Sequence, residues 1–90
     1  MRYSVDWSTD AQQQLAAIWV EQVSHRRIIT TAQAQIDRLL KSDPLGNGTL
    51  LSEELYAIAI NPLRAVYELS DEPSVVRVVS GKWFPHRKEF

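Results

Sequence analysis

The fold turns on one stretch, Leu55-Tyr56-Ala57-Ile58-Ala59-Ile60-Asn61-Pro62-Leu63-Arg64-Ala65-Val66-Tyr67-Glu68-Leu69. Two β-rich runs flank the turn residues Asn61 and Pro62, so the stretch reads as an antiparallel hairpin. Its register can be argued, because a slip of one residue exchanges the two faces of a strand. If Ile60 pairs with Leu63, then Tyr56, Ile58 and Ile60 share a face with Leu63, Ala65, Tyr67 and Leu69. That face is bulky and apolar and needs a covering layer. The opposite face holds Leu55, Ala57 and Ala59 beside Arg64, Val66 and Glu68.

Working outward, the turn residues Ser70-Asp71-Glu72-Pro73-Ser74 lead to a third run, Val75 to Val79, which extends the hairpin into a meander. Val76 and Val78 suit the covered face. Val75, Arg77 and Val79 then join Arg64 on the open face, with Arg77 across from Glu68 as a structural cross-strand pair. The open face is thus floored by alanine and valine and carries two arginines, and an exposed apolar floor marks a surface that another molecule covers. The tail, Ser80 to Phe90, contains Pro85 and shows no period. On the other side of the hairpin, Leu45 to Thr49 with Gly46-Asn47-Gly48 reads as a loop.

Before that loop, Ile29, Ala32, Ile36, Leu39 and Leu40 recur at helical spacing and stop near Asp43-Pro44, since proline disfavours a helical conformation at the residue before it. Ser24 is available as the cap. A second helical pattern, Ala11, Leu15, Ile18 and Trp19, runs from about Thr9 to Val23, with Ser8 or Thr9 as N-cap and Asp10 in the first turn. Joined, the two would make a helix of roughly 50 Å, longer than the roughly 25 to 30 Å breadth of a domain this size. A helical hairpin bending near Ser24 resolves this. At the start, Tyr3, Val5 and Trp7 alternate with Ser4 and Asp6 as in a strand with one buried face. Period assigns Trp7 and Trp19 to the core. The architecture expected is α+β, in the order β-α-α-β-β-β, with an antiparallel sheet packed on one face by a helical hairpin and a single domain over 1–90.

Composition excludes several classes of function. Ten Lys plus Arg against eleven Asp plus Glu leave a net charge of −1, so there is no global basic field to hold nucleic acid. With no cysteine and two unspaced histidines, neither a disulfide nor a metal site is expected, and no residue pattern calls for a cofactor. Glu53 and Glu54 are adjacent and would point to opposite faces of a strand, so they make no carboxylate pair. His25, beside Arg26 and Arg27 at the helical bend, suits capping or solvation better than catalysis. The N-terminus lacks the apolar run of a signal peptide, and Leu55 to Ile60 is too short to cross a bilayer, so a cytoplasmic protein is expected, without membrane contact.

The order of elements, Tyr3-x-Val5-x-Trp7-Ser8 leading to Ala11 and Leu15, Asp43-Pro44, and Leu63-Arg64-Ala65-Val66-Tyr67 together resemble the RelE/ParE superfamily of toxins from type II toxin-antitoxin pairs. The resemblance runs from about Arg2 to Lys82. It implies a bacterial toxin neutralised by a small cognate antitoxin laid over the sheet and helices. It also implies a target, which is DNA gyrase in ParE-like members and ribosome-bound messenger RNA in RelE-like endoribonucleases.

Arg64 matches the strand arginine that supports the scissile phosphate in nuclease members, though other members also carry a basic residue there. If the chain is a nuclease, Arg64 is the charge stabiliser, Lys82 a second cation and His86 the acid or base. Gly81-Lys82 is similar to the nuclease branch, but Trp83 stands where its next arginine is expected. That departure and the net charge favour a ParE-like inhibitor. The alternatives are a RelE-like endoribonuclease and a non-toxic relative that keeps only the antitoxin contact. Leu55, Ala57, Ala59, Val66, Arg77, Val79, Trp83 and Arg87 are the expected partner-binding residues, with Trp83 the aromatic that meets the partner. A soluble tail is the plainer reading of Lys82, His86, Arg87 and Lys88.

Overall fold

Asn61 and Pro62, joined by a cis peptide bond, close the expected hairpin, and Ile60 pairs with Leu63. A computed structural model of the chain describes residues 2–71 and 74–85. In chain order it contains β1 (Ser4–Trp7), α1 (Thr9–Glu21), a 3-10 turn (Val23–His25), α2 (Arg26–Ser42), β2 (Thr49–Ser52), β3 (Leu55–Ile60), β4 (Leu63–Asp71) and β5 (Ser74–Trp83). The sheet order is β1-β5-β4-β3-β2, antiparallel except for β1, which runs parallel to β5. The α+β architecture with a helical hairpin on one face is as expected.

Each helix is bounded by identifiable chemistry. Ser8 Oγ accepts the Ala11 amide at 3.1 Å, which caps α1, and Asp10 stands in its first turn. Four buried residues, Ile29, Ala32, Ile36 and Leu40, make one stripe of α2. At its end the Asp43 amide donates to Leu39 O, and the Asp43 carboxylate accepts the Gly46 amide at 2.9 Å, holding the turn that follows. The chain bends at Val23–His25, so the hairpin is where it was expected. Ser24 does not cap α2, however, because the cap position is His25, which makes no capping bond with its side chain.

The core lies between the helices and one sheet face. Ile58, Leu63, Ala65, Tyr67, Val76 and Val78 meet Ala11 and the α2 stripe, and Tyr56, Ile60 and Leu69 pack at its margin. The predicted register therefore holds. Tyr67 is fully buried and donates its hydroxyl to Pro44 O at 2.5 Å, and its ring stacks on Tyr56 at 5.6 Å. Burial first, then the neighbouring Tyr56 and Asp43, push the Tyr67 phenol up to about 12. Gly48 passes so close to that hydroxyl that a Cβ there would overlap it.

Three further features differ from the reading of the sequence. Thr49, expected to end the loop, instead opens a strand that had no counterpart in the sequence reading, Thr49–Ser52; it pairs along β3, Thr49 with Ala57, and its backbone bonds come from that partner. The last strand continues through Trp83, because Ser80 to Trp83 keep partners from Val66 back to Leu63. Trp19 is 42% exposed, not core; Ala11, Leu15 and Ile18 are the α1 residues that meet the core, Ala11 fully buried. Among the described residues no helix is long and apolar enough to cross a membrane.

Candidate functional site on the open face of the sheet

One extra residue in β5 organises the open face. Tyr67 pairs with Val78 and Val66 with Ser80, so Val79 has no partner directly opposite and forms a β-bulge. Side chains alternate along a strand, and an inserted residue inverts that alternation from the bulge onward. Without the bulge Lys82 would point toward the helices. With it, Lys82 joins the open face and pairs directly with Arg64. Two cations opposite each other on adjacent strands are mutually unfavourable, and an anionic contact offsets the repulsion. Lys82 is exposed and Arg64 half-buried; their neighbours on this face are Ala59, beside Arg64, then Val66 and Ser80.

The same inversion carries Trp83 to the helix side. It packs half-buried against the core, opposite Leu63, and meets the His25 ring edge-on at 5.4 Å. Trp83, expected in a tail without period, is thus part of the packed layer. Where β5 runs past the end of β1, helix α1 takes over its edge. The Ser8 amide donates to Val78 O at 2.8 Å and the Gly81 amide to Gln14 Oε1 at 2.8 Å.

Further along the face the charges change sign. Asp6, Arg77 and Glu68 lie side by side on β1, β5 and β4, all exposed, so Arg77 has a carboxylate in register on each side. The cross-strand placing of Arg77 against Glu68 is as expected. Between this row and Arg64-Lys82 the floor is of small and mid-sized side chains. Ala59 is exposed, Leu55, Val66 and Val79 are half-buried, and Ala57 is 7% exposed, shielded by its neighbours on β2 and β4. The apolar floor is therefore narrower than its residue types suggest. His86 and Arg87 lie outside the described residues.

A concavity between the helices was hidden from the sequence because period placed Trp19 inside. Leu15, Ala16, Trp19 and Val20 of α1, with Gln12, Thr30 and Gln33, line a groove of about 400 Å³ between the helices. Arg26 stacks on the Trp19 ring at 4.0 Å and donates from Nε to Trp19 O at 2.9 Å, fixing that wall.

No family model and no curated protein matches the chain. Solved structures do. The chain is similar to the RelBE2 toxin-antitoxin complex from Mycobacterium tuberculosis, with a TM-score of 0.73 and 22% identity, over 92% of this chain and 99% of that one. It is similar to the chromosomal ParDE toxin-antitoxin system from P. aeruginosa, with a TM-score of 0.70 and 13% identity, over 91% and 96%. It is also similar to the isolated E. coli RelE toxin, with a TM-score of 0.68 and 21% identity, over 97% and 88%. The fold is that of the RelE/ParE toxins.

Proposed function

We propose that the chain is the toxin of a bacterial type II toxin-antitoxin pair, held inactive by a small antitoxin, and that it acts as a ParE-like inhibitor of DNA gyrase. The toxin reading is supported by the near full-length likeness to structures of a RelE toxin and of toxin-antitoxin assemblies. The observation that carries the choice of target class is the open face itself. Arg64 and Lys82 offer charge for an anion, but among the described residues the neighbours they share that face with are alanine, valine and serine, with no histidine or carboxylate beside them. The Asp6 and Glu68 carboxylates stand across the path of a polyanion laid along the strands. Both features suit a binding surface better than a site of RNA cleavage.

A RelE-like endoribonuclease is the second reading, favoured by the pairing of Arg64 with Lys82. One set of assays separates the two. Purified protein is added to a gyrase supercoiling reaction and to a reconstituted translation reaction, with messenger integrity read by primer extension. Inhibited supercoiling with intact messenger is the expected result. Messenger cleavage by the wild type that falls about 10²-fold in Arg64→Ala and is not restored in Arg64→Lys would establish the nuclease instead. No effect in either reaction, and no growth arrest on expression, would remove the toxin reading.

A further inference from the structure

Helix α1 is charged only at its ends, by Asp10 and Glu21. From Ala11 to Val20 it carries no acidic or basic residue, yet Gln13, Ala16, Ala17, Trp19 and Val20 are exposed. The solvent side of a surface helix is ordinarily charged, as on α2, where Arg27, Arg38 and Lys41 are exposed. The uncharged side of α1 runs into the groove between the helices. Trp19 is 42% exposed and Val20 62%, and Val23, in the 3-10 turn, is 64% exposed. The Arg26 guanidinium lies 4.0 Å from the centre of the Trp19 ring, and its Nε donates to Trp19 O. The indole is therefore held in place before anything meets it, which lowers the ordering cost of a contact.

We infer that this surface is where two copies of the chain meet, with α1 of one packed antiparallel against α1 of the other across the groove. Gln12, Ala16, Trp19 and Val23 follow one another at spacings of four, three and four, the pattern of a helix seam. A two-fold axis midway between Ala16 and Trp19 sets Trp19 of each copy over Ala16 of the other, and Val23 over Gln12. Large then faces small twice, as close packing requires, and each indole enters the groove lined by Leu15 and Gln33. A surface that carries a fixed tryptophan and, one turn away, a small residue is complementary to itself under a two-fold. The absence of charge selects against a nucleic acid or a strongly charged polypeptide, which would find no ion pair on α1 between its ends. The area agrees: the exposed parts of the groove and of Val23 amount to roughly 500 Å² per chain, about 1,000 Å² for the pair, the lower bound of a specific interface. An interface of that size gives a reversible dimer, with a dissociation constant in the tens of micromolar as an order of magnitude. The helices cover one face of the sheet, so both open faces stay uncovered in the dimer. The inference goes beyond the proposed function and does not rest on it.

Sedimentation velocity of the full chain from about 5 to 500 µM reads the association, and a shift from monomer to dimer across that range is expected. Trp19→Ala should weaken it at least about tenfold by removing the anchor. Ala16→Trp should weaken it as much, because two bulky rings then face each other. The double variant Ala16→Trp, Trp19→Ala exchanges the large and small positions and keeps them opposed, so its affinity should return to within about threefold of the wild type. Val20→Asp, at an exposed position where the fold tolerates a charge, should also weaken association at least about tenfold. Leu50→Asp, on the free edge of the sheet, should leave it unchanged. Circular dichroism and thermal melting verify that each variant folds. A chain that is monomeric at every concentration, as it is if the groove is kept for a different protein, overturns the inference. So does a dimer that withstands Val20→Asp, one that Leu50→Asp abolishes, or a folded double variant that does not recover.

Discussion

Replacing Tyr67 by Phe removes one oxygen from the best-buried aromatic in the domain, and the consequence can be worked from its surroundings. The ring is 0% exposed, and its hydroxyl donates to the carbonyl of Pro44, itself buried. Taking away the donor leaves that acceptor unsatisfied, which costs about 1–3 kcal/mol. For a domain of this size each kcal/mol lowers the Tm by about 4–8 °C, so a fall of roughly 5 to 20 °C is expected.

The phenol also makes stability depend on pH at the alkaline end. Its folded-state pKa is raised to about 12 from 10.0, so the unfolded chain releases this proton first as pH rises. The contribution is complete below pH 10 and is lost between pH 10 and about 12, on the order of 2 kcal/mol in full. Thermal or urea unfolding from pH 8 to 11.5 reads both effects, and Tyr67→Phe should be the less pH-sensitive of the two proteins in the alkaline range. A variant that melts within about 2 °C of the wild type, or that loses stability with pH along the same curve, would refute the account of Tyr67 as a buried, hydrogen-bonded phenol.

Three other outcomes are expected. Gly48→Ala should destabilise by overlap with the Tyr67 hydroxyl, and the cost should shrink in a Tyr67→Phe background, a coupling of about 0.5 kcal/mol or more in a double-mutant cycle of urea midpoints. Ser8→Ala should cost about 1 kcal/mol through loss of the α1 cap, while Ser8→Asp, which keeps an acceptor at the helix N-terminus, should recover most of it. Ala59→Glu should weaken binding of the proposed antitoxin by more than about 1 kcal/mol in a titration with little change in Tm, because Ala59 is exposed on the floor of the face. Ala57→Glu should instead unfold the chain, because Ala57 is buried between β2 and β4.

The hairpin register was legible because Tyr56 to Ile60 and Leu63 to Leu69 alternate cleanly about a marked turn, and alternation is the property a strand face imposes. The helical bend was legible from length alone. β2 was not, because Thr49-Leu50-Leu51-Ser52 neither alternates nor is buried; it becomes a strand through pairing with β3, and all four residues are exposed. The most consequential miss was Val79. A bulge leaves no sign in the local pattern of Val75 to Val79, yet it decides that Lys82 faces Arg64 and that Trp83 faces the helices. Lys82 and Arg64 could be named from residue type, but their pairing depended on a register set by contacts with β4. Trp19 was misplaced for a related reason, since helical period gives the direction of a side chain but not how far the neighbouring layer extends.

The parallel contact of β1 with β5 bears on how the chain is made. Ser4 pairs with Val75, so β1 waits for a partner that emerges about seventy residues later, roughly 4–14 s at ordinary elongation rates. Strand β5 is also the neighbour of β4, so it is the inner strand that joins the two sides of the sheet. During synthesis, therefore, the open face with its paired cations does not exist: Arg64 is already made, but Lys82 and the bulge that turns it outward are not. Contacts this distant in sequence also slow folding. The open face is assembled only when β5 is threaded between β1 and β4, so a molecule that recognises the finished face meets only chains in which β5 has been made and placed.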